Sequence, residues 1–307
     1  NNNNPVQLFG IDCYSLFESK KHILSFLDRV DRSYANIIRD KLSFMNGYTD
    51  EHIYGKDLVN GKLVQYANNI QDTLQNILSD VQWKKIDEYK KQNIDPLELL
   101  SLEQNCEVMV NADEYFRKLY SEPPESQATW NIRDQHMITT ILKIQNTFND
   151  NPIKYSVQPS TSGKYSTVSS APSEYPIKPK FIICAHNSHI GDTMATSKGG
   201  QNFDHNDTWN LGQMARSMLE KTKLFGFYTY EGRVTAAPEW GAPCKNFQLQ
   251  PAIENSYEYY FHQLSQVTDI NSFFINMEQF QSQDTYKYNP KSLPAMYKFV
   301  HTINKIT

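Results

Sequence analysis

The stretch Pro179-Lys180-Phe181-Ile182-Ile183-Cys184-Ala185 constrains the fold of this chain most. Its unbroken apolar run leaves no polar side for water, the pattern of a strand buried on both faces of a parallel sheet. Cys184 within it reads as a small buried hydrophobe. A helical pattern over 209–223 follows, and then a second run, Phe225-Gly226-Phe227-Tyr228-Thr229-Tyr230. Strand, helix and strand in that order predict a parallel pair. Near the start, Val6-Gln7-Leu8-Phe9-Gly10-Ile11-Asp12 reads as one more buried strand, followed by a helix through Ile23, Leu24, Leu27 and Val30 that Ser15 is placed to cap.

The middle of the chain has a different period. Leu63, Tyr66, Ile70, Leu74, Ile77 and Val81 recur at steps of three and four, an amphipathic helix whose charged remainder, Lys84 to Lys91, is a solvated face. Residues 97–120 read as a helix with an interruption at Asn111-Ala112-Asp113-Glu114, and a further helix runs over 130–148 after the turn at Glu122-Pro123-Pro124-Glu125. Residues 15–148 are therefore expected to be mainly helical. Residues 156–178, rich in Ser, Thr and Pro, read as a mobile surface loop. Beyond the second strand, 257–267 and 294–303 read as helices and 272–276 as a short strand. The expected fold is α/β, a mostly parallel sheet with flanking helices and a helical lobe.

Composition narrows the function. Thirty Lys and Arg against 34 Asp and Glu give a net charge of -4, too little positive charge for a general nucleic-acid or anionic-membrane footprint. With 39% hydrophobic and 13% aromatic residues the chain can build a core. No segment has the length and apolarity of a membrane span. The four widely spaced cysteines, with no C-x-x-C, match cytoplasmic usage.

Ligands of open parallel sheets bind beyond the carboxyl ends of the strands, so the first polar residues after each expected strand are the candidate site. They are Asp12, the group His186-Asn187-Ser188-His189-Ile190-Gly191-Asp192, and Glu231-Gly232. Three chemistries suit His186 and His189. They could ligate a metal, with a third ligand among Asp192, His205, Asp12 and Glu231. One could be a general base oriented through its other nitrogen by a carboxylate while its neighbour polarises a carbonyl. Both could simply bond the backbone of a turn. Ser188 between them lacks the base and oxyanion hole of a nucleophile. No G-x-S-x-G, P-loop or H-E-x-x-H occurs. In Asn131-Ile132-Arg133-Asp134-Gln135-His136-Met137, Arg133 could clamp an anionic intermediate, with an ordinary salt bridge as the plainer reading.

Six segments together carry a family resemblance: residues 10–17 (GIDCYSLF), 130–137 (WNIRDQHM), 185–192 (AHNSHIGD), 209–216 (WNLGQMAR), 226–237 (GFYTYEGRVTAA) and 251–258 (PAIENSYE). In order and spacing they resemble the erythromycin esterase family, across nearly the whole chain. The resemblance implies an α/β core with a helical lobe and hydrolysis of an ester by activated water, without an obligatory metal or cofactor. It implies a small-molecule ester substrate, a macrolide lactone or an ester not yet known. It places His186 and His189 in the active site, with Glu231, Asp192, Arg133 and Asp12 as supporting positions whose roles it does not define.

The chain departs from the family at its start. The family's Gly-Glu-x-x-His-Gly motif, which supplies a histidine base, has no counterpart here, and the chain opens on Asn1-Asn2-Asn3-Asn4-Pro5. Residues 5–307 are therefore expected to be the C-terminal portion of an erythromycin esterase-like protein. The competing expectation is a non-catalytic fragment or homologue that binds a small ligand or partner through the same cleft, and a metal-dependent enzyme is a third.

Overall fold

The computed structural model describes residues 7–63, 66, 69–123, 127–151, 179–193, 197–198, 201–202, 208–238, 242–268, 272 and 274. The chain divides into two compact units, Asn1–Phe225 and Gly226–Thr307.

The first unit is built from helices, and short polar residues set where they begin. Helices α1 (Leu16–Val30) and α2 (Arg32–Lys41) meet at Asp31, whose side chain accepts the Tyr34 N–H at the start of α2. Burial opposes the charge on Asp31, but Lys85 at 2.7 Å and the Tyr34 N–H hold its carboxyl below the usual range. Asp50 caps α3 (Glu51–Val59) by accepting from His52 and Ile53. Ser15 precedes α1 without making the expected side-chain cap. Helix α4 (Ile70–Asp80) passes through a wide π-turn, Val81–Lys85, into α5 (Ile86–Lys91). Helix α6 (Pro96–Ser121) starts with Asp95 as cap and Pro96 in its first turn, where a missing N–H costs nothing. Helix α7 (Ala128–Asp150) follows.

The apolar stripes of these helices converge on α6. Leu16, Ile23 and Leu27 of α1 and Ile70, Leu74 and Ile77 of α4 share one core with Leu99, Leu102, Cys106, Met109 and Phe116. The interruption expected at 111–114 does not occur. Asp113 is fully buried and receives Tyr54 Oη at 2.5 Å, Gln71 Nε2 at 2.6 Å and Arg117 at 2.9 Å. A polar residue that would break a bare helix is thus a junction between α3, α4 and α6.

The expected parallel sheet is overturned. Among the described residues the only sheets are two-stranded and antiparallel: β1 (Ser197–Lys198) with β2 (Gln201–Asn202), and in the second unit β3 (Gly232–Ala236) with β4 (Lys245–Leu249). Residues 7–12, 181–185 and 225–230 belong to no strand. The physical reason is that an apolar run becomes a sheet strand only when neighbouring strands accept and donate along its backbone. Here the runs at 7–12 and 181–185 are only partly buried, and Phe225, Phe227 and Tyr228 of the third are exposed. Ile11 and Ile183 pack against a second core formed by Met137, Ile138 and Ile141 of α7, whereas Leu8 is 99% and Ile182 95% exposed. Cys184 is likewise exposed rather than buried. The architecture is mainly helical.

Two short helices, α8 (Asn187–Ile190) and α9 (Leu211–Met218), complete the first unit, and α10 (Tyr257–Thr268) lies in the second. The loop expected at 156–178 and the helix at 294–303 lie outside the described residues, as does most of 272–276. No helix among the described residues is long and apolar enough to cross a membrane.

The crossing of α3 over α6 yields a prediction. Alanine ordinarily exceeds glycine in a helix by about 1 kcal/mol. A Cβ at Gly55, however, would stand 2.9 Å from the Phe116 carbonyl oxygen and 3.0 Å from Tyr120 Cδ2. Gly55→Ala is therefore expected to destabilise the protein by about 1–3 kcal/mol. The check is the urea midpoint at constant m; an unchanged or higher midpoint contradicts this helix contact.

Candidate functional site

Helix α7 supplies one wall of the site. Positions 130, 134, 137, 138 and 141 share its inner face by helical periodicity, and all are apolar or aromatic except Asp134. Asp134 is fully buried. A buried carboxylate requires partners for both oxygens, and it has them. Oδ1 lies 2.5 Å from His189 Nδ1, and Oδ2 accepts the Leu211 backbone N–H at 2.9 Å. Burial raises the Asp134 pKa, and the His189 and Leu211 bonds act against that rise. The Trp130 indole lies over the imidazole of His189, ring centroids 4.2 Å apart and planes within 6°.

The opposite wall is α8 and the start of α9. Asn210 caps α9 by accepting the Gln213 N–H and donates Nδ2 to the Ser188 carbonyl at 3.1 Å, tying the two helices together. Gly212 is required at the junction, since a Cβ there would meet the carbonyl oxygens of Ile190 at 2.1 Å and Gly191 at 2.2 Å.

The structure distributes the expected site residues over separate partners. His189 is buried and paired with Asp134. His186 is exposed, and its Nδ1 caps α8 by accepting the Ser188 N–H at 3.3 Å, with Ser188 Oγ at 2.8 Å. Arg133 and Asp12 are brought together in a two-pronged pair, Nη2 to Oδ2 at 2.7 Å and Nε to Oδ1 at 3.2 Å, with the guanidinium over the Tyr14 ring. Burial opposes the Arg133 charge, and Asp12 more than offsets it, so its pKa is raised. The salt bridge expected as the plainer reading of Arg133 is present. Asp192 pairs with Arg216 at 2.9 Å. Glu231 is exposed in the second unit, immediately before β3. Among the described residues no group of three or more His, Cys, Asp or Glu is arranged to hold a metal ion, and His205 lies outside them.

The sequence matches the model of the erythromycin esterase family over residues 1–156 and 166–297. The chain belongs to the erythromycin esterase family. Membership points to ester hydrolase activity, and the matched span contains every residue of the site just described. No solved structure matches the chain.

Asp134 and Trp130 of this erythromycin esterase family member were not singled out by the sequence reading, which sought the carboxylate partner of a histidine at strand ends. The available signal was a lone acid in phase with Met137, Ile138 and Ile141 on an amphipathic helix. His136, on a face neighbouring that of Arg133, has no role assigned from the sequence. It is buried on the α6 side of α7, with Nδ1 2.8 Å from Asn111 Nδ2 and Nε2 3.4 Å from Thr140 Oγ1, which in turn donates to Gln104 at 2.8 Å. Desolvation lowers its pKa, while the negative charge of Glu107 acts the other way.

That lowering has a sign for stability. A histidine whose folded pKa lies below the unfolded value of about 6.5 costs nothing above that pH, and stability is lost as pH falls from there through the folded pKa. His136→Gln is expected to narrow the drop in Tm between about pH 8 and about pH 5. An undiminished drop would show that acid sensitivity arises elsewhere.

Proposed function

We propose that this protein hydrolyses a carboxylic ester of a small molecule with water as the nucleophile, and that His189 carries the proton. The observation supporting this reading is the buried 2.5 Å contact between His189 Nδ1 and Asp134. With Nδ1–H donated to the carboxylate, the lone pair is left on Nε2, which has no hydrogen-bond partner among the described residues. Nε2 takes a proton from water as the water oxygen bonds to the ester carbonyl carbon. The carbon–alkoxide bond then breaks, and the imidazolium returns its proton to the departing alkoxide. Asp134 holds the ring in one tautomer and stabilises its positive charge, as a carboxylate does for a histidine base elsewhere.

A macrolide lactone is the ester class that the family name suggests, and an open-chain ester suits the same chemistry. His186 has a lesser role in this scheme because its Nδ1 is engaged at the start of α8.

Turnover of p-nitrophenyl acetate and of a macrolide, the latter followed by mass spectrometry as the gain of one water, tests the scheme. His189→Gln and Asp134→Asn are each expected to lower kcat/KM by about 10²–10⁴-fold while the far-UV spectrum is retained. His186→Ala is expected to cost far less activity and to lose about 1 kcal/mol of stability with its cap. Wild-type rates in His189→Gln would refute the assignment.

A further inference from the structure

From the ring geometry we infer that Trp130 is a positioning residue for His189, one that favours its protonated form during turnover. The inference rests on the reading of His189 as the proton carrier. It starts from a spacing: Trp130 and Asp134 are four residues apart on α7, so one helical turn puts an indole and a carboxylate on the same side of the helix. The two grip one imidazole in different ways. Asp134 holds its Nδ1 edge at 2.5 Å, which fixes the tautomer and one direction in the ring plane. Trp130 covers its face at 4.2 Å with only 6° between planes, which opposes rotation of the ring about its bond to Cβ. With edge and face both held, Nε2 is fixed in direction.

The stack also has a charge preference. Neutral aromatic pairs favour edge-to-face or offset arrangements: Tyr14–Tyr115, Phe17–Tyr54 and Tyr115–Phe116 of this unit are edge-to-face, at 84–85°, and the near-parallel pair Phe17–Tyr48 stands 6.5 Å apart, against 4.2 Å for Trp130 and His189. A near-parallel imidazole this close to an indole presents the electron-rich face of tryptophan, the best of the aromatic rings for holding a cation. The interaction therefore strengthens as His189 gains its proton and becomes an imidazolium. A group that binds the charged ring better than the neutral one lowers the barrier to the step that creates the charge.

The test combines steady-state kinetics on p-nitrophenyl acetate with NMR of the protein carrying ¹³C-labelled histidine. His189 resonances, identified among those of the eight histidines by their loss in His189→Gln, are expected upfield in the wild type because the indole shields them. They should return to ordinary positions in Trp130→Leu and remain partly shielded in Trp130→Phe. Trp130→Leu is expected to lower kcat by about tenfold or more with KM within about twofold, and Trp130→Phe to restore most of the loss. Wild-type kcat in Trp130→Leu, unshielded His189 resonances in the wild type, or equal losses in the Leu and Phe variants would each overturn the inference. If His189→Gln itself turns over normally, the proposed function fails and this role falls with it. If His189→Gln is inactive and Trp130→Leu is not, only the role of Trp130 falls.

Discussion

Asp134 is the interaction on which the site depends. Its carboxylate has no exposure, and its two oxygens serve different masters: the imidazole of His189 and the backbone N–H of Leu211. A buried charge with one oxygen unpaired would be costly, so the arrangement holds together only while α8 and α9 both remain docked on α7. The Asn210 bridge to Ser188 and the glycine at 212 serve that docking from the far side. In the proposed mechanism, chemistry and local packing rest on one set of bonds.

The helical part of the fold was legible because a period of three to four residues needs no distant partner to express itself. Leu16, Ile23 and Leu27, or Ile70, Leu74 and Ile77, specify a face, and any apolar surface can cover it. Strands are different. The run at 181–185 had the composition of a central strand, but a ladder depends on which backbones lie alongside, and no pattern within the run states that. What the structure shows is a segment using Ile183 against a helix and leaving Ile182 in water.

The site was legible to a similar depth. His189 could be named from its place in the motif at 185–192, since the turn after an apolar run is where polar groups gather. Asp134 could not be named by the same rule, because it belongs to a helix interior 55 positions earlier in the chain. Arg133, one residue before it, drew attention as a charged side chain and proved to be committed to Asp12. Adjacent residues on a helix point about 100° apart, so a reading that weighed charge without phase selected the neighbour that faces Asp12 over the one that faces the histidine.

Helical phase has a further consequence for how this site can vary. Trp130 and Asp134 owe their common grip on one ring to a single intervening turn. Inserting or deleting one residue between them would rotate one by about 100° relative to the other, so that either could remain but not both. Substitutions within 131–133 leave that angle intact. The spacing therefore behaves as a mechanical tolerance: exchanging a side chain between the two contacts leaves their relative angle unchanged, whereas the length of the segment cannot change without taking the imidazole out of its clamp.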